Sequence, residues 1–174
     1  MDKNTTNHCS PVTNDNPPAL ACIPGFHIHR VFMDSMHTVD MGVAGWVVGN
    51  TIWEIIVEEK RLGGSSQDRA LEVAYHAYKS FCKANSIDVT STVWTKEKLN
   101  RKKATTFPFM KAKANETKKI VPYAWALAHE HNSGSQHDHW REAVCWGLLQ
   151  YYNDIGSAGR YLSAVELAGL QSHV

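Results

Sequence analysis

This chain lacks the cysteine pairs of a disulfide-stabilised domain and the long apolar run of a membrane protein. Its four cysteines include no Cys-x-x-Cys pair, which favours a reducing, intracellular compartment. The longest apolar stretch, Met41 to Trp53, is interrupted by Asn50 and Thr51 and is shorter than the roughly 20 residues that span a bilayer. Residues 1–18 are polar, without the apolar core of a signal peptide. We therefore expect an intracellular protein with no membrane partner.

Signatures of nucleophilic and nucleotide-dependent enzymes are also missing. The chain contains no Gly-x-Ser-x-Gly motif, no P-loop and no dinucleotide-binding fingerprint. In the large enzyme families these motifs position a nucleophile or cradle phosphate groups. The sequence therefore offers no support for nucleophilic catalysis.

The length and the apolar content of the chain indicate one domain. The 174 residues, 43% of them hydrophobic, are enough for one compact core and too few for two ordinary ones. Residues 1–20 are polar and predict a disordered tail, and residues 21–174 predict a single helical domain. Phe26 to Phe32 alternates loosely between apolar and polar residues, which is typical of a short strand. The predicted fold is mainly α, an irregular bundle of about five helices with one short N-terminal strand or hairpin at its edge.

The central element is predicted to be a helix from Val39 to about Lys60, because apolar residues recur there at helical spacing. Gly42, Gly45 and Gly49 interrupt it, and each costs about 1 kcal/mol of helix propensity relative to alanine. We therefore expect the glycines to admit a neighbouring backbone at short distance.

Further helices are predicted at 67–84, from Pro122 to about His131, and after the capping residues Ser135 and Ser163. The helix that follows Ser135 is expected to pack its apolar residues into the core. These residues are Trp140, Val144, Gly147, Leu148, Tyr151 and Ile155.

Asp34 and His37 place a carboxylate and an imidazole three residues apart at the entrance of the central helix. The pair is compatible with a metal ligand set, a phosphate contact or a helix cap. Asp34 is a favourable N-cap residue, and His37 would then lie in the first turn. Known metal sites need more ligands than this pair supplies. Helix capping is therefore the simplest interpretation, and we predict no metal site from the pair alone.

Four histidines surround a Ser/Gly loop in the second half of the chain. They are His129, His131, His137 and His139. Histidines at i and i+2 on a helix point in different directions, and no His-Glu-x-x-His motif accompanies them. We interpret them as solvated loop histidines, with a zinc site as the alternative.

Half of the chain's basic residues lie between positions 96 and 119, where the only acidic residues are Glu97 and Glu116. We call residues 96–119 the basic segment. Its nine cations are Lys96, Lys98, Arg101, Lys102, Lys103, Lys111, Lys113, Lys118 and Lys119. Such a run suits contact with a phosphate backbone, and Trp94, Phe107 and Phe109 suit stacking on unpaired bases. DNA is therefore a candidate partner, and the alternative is a solvated loop whose aromatic residues tuck into the core.

From about Pro18 onward the order of motifs resembles a known group of proteins. A Pro-Gly turn, a short strand and Asp-x-x-His precede the glycine-punctuated helix, a Leu62-Gly63-Gly64 break, a Tyr75/Tyr78 helix, the basic segment and a Trp140/Tyr151 helix. This order resembles the transposase-like reading frames abundant in dinoflagellate genomes and, more distantly, the DDE transposases of CACTA type. In DDE enzymes an RNase H-like fold holds acidic residues that bind two divalent metals for phosphodiester cleavage.

The resemblance implies that Asp34 and His37 match the Asp-x-x-His motif after the second catalytic acid, and that the following helices match the family's helical insertion. The other catalytic acids have no counterpart in this sequence. The resemblance therefore implies a transposon-derived fragment that is catalytically inactive alone and binds no cofactor. Divalent metal would be bound only by a full-length catalytic domain. It also implies a nuclear location if the chain binds DNA, with the rest of a transposase-like protein as a partner.

A hypothesis from another class is an α-helical protein-interaction module without nucleic-acid binding. The broad apolar surface from Val39 to Val57 and the C-terminal helix would leave a patch for a partner, including a second copy of the chain.

Overall fold

The computed structural model describes residues 36–103, 105–158 and 163–172, and all of them belong to one compact unit, Asp34–Val174. Within these residues the chain is mainly helical, with five helices and no strand. This confirms the predicted mainly α class. The predicted tail, the predicted strand and Asp34 lie outside the described residues.

The first helix, α1, consists of three consecutive segments, and the other four are single α-helices. The elements are α1 (π-helical Met36–Val43, α-helical Ala44–Ile52 and π-helical Trp53–Glu58), α2 (Gln67–Ala84), α3 (Ala114–Glu130), α4 (Gln136–Ser157) and α5 (Ala164–Ser172). None of these described helices combines the length and the apolarity needed to cross a bilayer.

Helix α1 is central, as predicted, because its middle and last segments are apolar on several sides. Val48, Ile52, Ile55 and Ile56 are fully buried. Its middle segment packs against α3 and α4, and its last segment contacts α2. α1 therefore joins α2, α3 and α4 in one core.

Glycines let the basic segment lie directly on α1. A Cβ atom added at Gly49 would lie 2.6 Å from the Phe109 Cα and 2.6 Å from the Met110 nitrogen. One turn earlier, the Met110 N–H donates a hydrogen bond of 2.8 Å to the Gly45 carbonyl. The expected close approach of a backbone is confirmed at these two glycines.

An aromatic cluster joins α2 to α3. The ring of Trp94 stacks on Tyr78 with centroids 5.2 Å apart, and Tyr123 meets Tyr78 edge-on at 5.5 Å. The Tyr75 hydroxyl donates to the Ser91 carbonyl at 2.8 Å. Trp94 is therefore a core residue that is unavailable for stacking on a nucleic-acid base.

Helix α3 begins at Ala114, eight residues before the predicted start, and contains Pro122 in its interior. An interior proline removes one helical hydrogen bond and costs about 3 kcal/mol. Thr117, Ile120 and Val121 are buried in the turns before it. Burial of these side chains outweighs the cost of the proline, and the prediction of a start at Pro122 was wrong.

Helix α4 faces the core with a different side from the one predicted. Trp140, Val144 and Ile155 are exposed, so their predicted burial was wrong, whereas burial of Leu148 is confirmed. The buried positions of α4 are Asp138, Arg141, Cys145, Leu148 and Tyr152. An arginine faces inward because carboxylates from two elements compensate its charge, and apolar periodicity does not reveal such a position.

The predicted caps of the last two helices are confirmed. The Asp138 N–H donates to the Ser135 hydroxyl at 3.1 Å, and the Glu166 N–H donates to the Ser163 hydroxyl at 3.2 Å. The Ser163 N–H donates in return to the Glu166 carboxylate at 2.7 Å, which completes a capping box.

Candidate functional site

A groove of about 380 Å³ lies between α1 and α4. Its walls are apolar, with Trp46 and Val47 on α1 and Trp140 and Val144 on α4. Trp140 is 65% exposed, and Trp46 and Val144 are each about half exposed. We call this feature the α1/α4 groove. It gathers large apolar side chains that the core of the chain does not use.

The polar edge of the groove is a network of charged side chains centred on Arg141. The Arg141 guanidinium is 4% exposed and donates to the Glu59 and Asp138 carboxylates at 2.6 Å each. A third carboxylate, Glu54, lies 3.1 Å from the same guanidinium and 2.6 Å from the His137 ring. The network ties α4 to the last segment of α1 and fixes the shape of this edge.

Hydrogen bonds set the ionisation of this network. Bonds from the Ser133 hydroxyl and N–H, together with the Arg141 charge, hold the pKa of Asp138 well below its usual range. Burial alone would raise the pKa of Glu59, but hydrogen bonds from Arg141 and Arg61 outweigh it and lower that pKa. These carboxylates therefore stay charged at neutral pH.

The opposite wall of the groove is held by the loop of the basic segment. The Trp46 ring meets the Phe109 ring edge-on with centroids 5.0 Å apart. The Asn50 amide donates to the Trp46 carbonyl at 2.8 Å and to the Pro108 carbonyl at 3.0 Å. One side of the Trp46 ring therefore packs against Phe109, and the other side lines the groove.

The Asp34/His37 hypothesis is only partly covered by the structure. His37 is exposed in the first π-helical segment of α1. Asp34 lies outside the described residues, so the capping interpretation stays a prediction.

Most cations of the basic segment contact a group of the chain itself. Lys96, Lys102 and Lys119 approach Asp68, Glu97 and Asp88 at 3.1, 3.7 and 4.0 Å. Each pair has at least one largely exposed member, and such surface pairs add little stability but lower the net charge of the surface.

The other paired cations are more deeply placed. Lys98 donates to the Glu116 carboxylate at 2.6 Å. Arg101 lies 4.8 Å from the Trp53 ring and Lys118 lies 5.4 Å from the Tyr152 ring, both as cation–π contacts.

Three cations of the basic segment have neither an acidic nor an aromatic partner among the described residues. They are Lys103, Lys111 and Lys113, and all three are exposed. Phe107 is also exposed, whereas Phe109 is half-buried against Trp46. The structure thus places three cations and one aromatic ring of the predicted site at the surface.

Three of the four histidines contact polar side chains, and two of these, His129 and His139, are linked through Glu142 and Asn132. His129 lies 2.6 Å from Glu142 and His137 lies 2.6 Å from Glu54. His139 lies 3.2 Å from the Asn132 amide. Across the described ranges, no three His, Cys, Asp or Glu side chains gather in an arrangement that could hold a metal ion.

Comparisons with protein-family models, curated proteins and solved structures found no match to this chain.

Sequence reasoning missed Arg141 and Glu54 and assigned Trp140 and Val144 to the core. One signal was present, because Asp138 and Arg141 have the i,i+3 spacing of a helical ion pair. The contacts of Arg141 with Glu54 and Glu59 span more than 80 residues and have no local signature.

Proposed function

We propose that this chain is an α-helical protein-interaction module that docks a partner segment in the α1/α4 groove. The observation that carries the proposal is the exposure of Trp46, Trp140 and Val144 around one groove. Tryptophan is enriched among the residues that dominate binding energy at protein interfaces. Contiguous apolar surface rimmed by polar groups is the usual mark of such an interface.

The proposed occupant is an amphipathic helix that inserts a bulky apolar side chain between the two tryptophans. Grooves between helices bind such segments through anchors spaced along one face. The groove is preorganised, because the Arg141 network fixes one edge and the contacts of Trp46 and Asn50 fix the other. A preorganised site loses less free energy on binding.

Selection from a displayed library of helical peptides tests this proposal. We expect peptides that bind the wild-type chain and lose at least about 10-fold in affinity with Trp140→Ala, because interface tryptophans commonly contribute more than 1 kcal/mol. Trp146→Ala is the matched control, since Trp146 is exposed on the same helix and does not line the groove. Peptides that bind all three proteins equally would overturn the proposal.

A second candidate function is non-specific contact with nucleic acid. Lys103, Lys111 and Lys113 support it, because they lack acidic partners in the described part of the chain. We expect Lys103→Gln/Lys111→Gln/Lys113→Gln to weaken binding of single-stranded DNA and to reduce the salt slope by about 2. Lys96→Gln/Lys102→Gln/Lys119→Gln is the control, since those cations are paired. Fluorescence anisotropy across salt concentrations measures both, and equal effects would contradict this assignment.

We also propose, on the order of motifs alone, that the chain derives from a transposase-like protein and is catalytically inactive by itself. The test is DNA cleavage and strand transfer with magnesium or manganese. Metal-dependent cleavage that is lost in Asp34→Ala would overturn the inactive assignment.

A further inference from the structure

We infer that the segment docked in the α1/α4 groove carries a lysine or arginine beside its apolar anchor, and that Glu54 receives this cation. The inference rests on the proposed docking function and names the chemistry of the partner. It is carried by the position of Glu54 and by the charge of the network around it.

Glu54 is the least compensated carboxylate of the network. The short contacts of Arg141, at 2.6 Å, go to Glu59 and Asp138, whereas its contact with Glu54 is 3.1 Å. Glu59 is also paired with Arg61 at 2.9 Å, and Asp138 accepts hydrogen bonds from Ser133. Glu54 alone among the three lines the groove.

The second contact of Glu54 is one that a ligand can replace. The Glu54 side chain is 30% exposed, and its Oε1 atom meets the His137 ring, which is itself 64% exposed. A ligand can displace this imidazole at little cost, because surface pairs of this kind contribute little to stability. A lysine ammonium or arginine guanidinium of the partner would then take its place on Oε1.

The charge of the network favours a cation over an anion. Three carboxylates, Glu54, Glu59 and Asp138, face the two guanidinium groups of Arg61 and Arg141. One negative charge remains in excess when the His137 ring is neutral. An acidic partner residue here would face like charge, which costs binding free energy and excludes wrong partners.

The buried guanidinium offers no site for an anion. Arg141 lines the groove, but its Nε atom, which has no hydrogen-bond partner among the described residues, is buried away from solvent. A partner carboxylate therefore cannot reach it without opening the contact between α1 and α4. The accessible charged atom at this edge belongs to Glu54.

A double-mutant cycle on a library-selected peptide tests the inference. We expect peptides that depend on Trp140 to be enriched in Lys or Arg next to the apolar anchor. For one such peptide, Glu54→Gln should weaken binding about 5-fold, as should Lys→Met in the peptide, and the two changes together should cost little more than either. Glu72→Gln, an exposed helical glutamate of α2, is the control and should have no effect.

The outcomes separate this inference from the proposed function. Failure to obtain peptides that depend on Trp140 would overturn docking itself. Trp140-dependent peptides without a cationic bias, or with fully additive effects in the cycle, would overturn the role of Glu54 and leave the groove standing. Enrichment of acidic residues would also overturn it. The peptide Lys→Met change is measured on the wild-type chain, so the inference stays testable even if Glu54→Gln fails to fold.

Discussion

The α1/α4 groove and the basic segment both combine aromatic rings with charge, but in opposite arrangements. In the groove the central charge, Arg141, is buried and the rings of Trp46 and Trp140 are exposed. In the basic segment four of the nine cations are exposed and five are half-buried, and Trp94 next to them is buried. Residue content alone therefore does not define a binding surface. What defines it is whether the aromatic rings or the charged groups are left without a partner within the chain.

Pairing explains why the more strongly charged region is the weaker candidate site. Six of its nine cations contact a carboxylate or an aromatic ring of the chain itself. In the groove, Trp140 is 65% exposed and Trp46 is 47% exposed despite its contact with Phe109. An exposed apolar patch is a better indicator of a binding partner than a run of cations that are already paired.

The largest expected effect is on the buried charge of the groove. Arg141→Met should lower the free energy of unfolding by about 3 kcal/mol, because it leaves Asp138 without its cation and Glu59 with Arg61 alone. Urea denaturation measures the change. Arg61→Met should cost less than about 0.5 kcal/mol, since that pair is exposed. Similar losses in both variants would show that Arg141 is not the centre of the network.

The next effect concerns the contact that joins the two regions. Gly49→Ala places a Cβ atom 2.6 Å from the Phe109 backbone, and overpacking of this kind costs about 2 kcal/mol. Gly147→Ala is the control, because nothing lies within 4 Å of a Cβ atom there and alanine is the better helix former. Calorimetric melting should show a lower midpoint for the first variant and an equal or higher one for the second. A neutral Gly49→Ala would mean that the basic segment is not seated on α1.

Acid should weaken the network around Arg141, because protonation of Asp138 lowers the stability of the folded chain. Its pKa is lowered in the folded chain by Ser133 and Arg141, so its stabilisation is present above its unfolded pKa of about 4. That stabilisation is lost as the pH falls below about 4 toward the folded pKa. Asp138→Asn should therefore lose less stability than the wild type between pH 5 and pH 2. An unchanged pH dependence of urea unfolding would contradict this.

A smaller effect is expected in the basic segment. Lys98→Met should cost about 1 kcal/mol, because its ammonium is 17% exposed and its partner Glu116 is 11% exposed. Lys111→Met, at an exposed lysine with no acidic partner among the described residues, should change stability by less than about 0.5 kcal/mol. Equal losses would remove the distinction between paired and available cations.

Local signals allowed much of the fold to be predicted from sequence. Helix caps at Ser135 and Ser163 and the close approach at Gly45 and Gly49 depend on neighbouring residues or on the properties of glycine. The interior position of Pro122 was missed, because packing outweighed a strong local preference.

The candidate site was much less predictable, because its contacts are not local. Apolar periodicity assigned Trp140 and Val144 to the core, but the buried side of α4 contains Arg141. Arg141 can be buried because Asp138, Glu54 and Glu59 compensate its charge, and Glu59 lies 82 positions away in the chain. A charge run likewise predicts a basic surface only if its counter-ions are far away, and here Asp68, Asp88 and Glu116 are near.

The smallest expected effect on stability is the most informative for function. Trp140→Ala should change the free energy of unfolding by less than about 0.5 kcal/mol, because the side chain is 65% exposed. Its immediate neighbour Arg141 is buried, and Arg141→Met should lower the free energy of unfolding about six times as much. If urea denaturation shows that Trp140→Ala destabilises the chain by more than about 2 kcal/mol, the ring belongs to the core and cannot serve as a docking anchor. If stability is unchanged while peptide binding is lost, Trp140 acts at the surface of the groove and not in the fold.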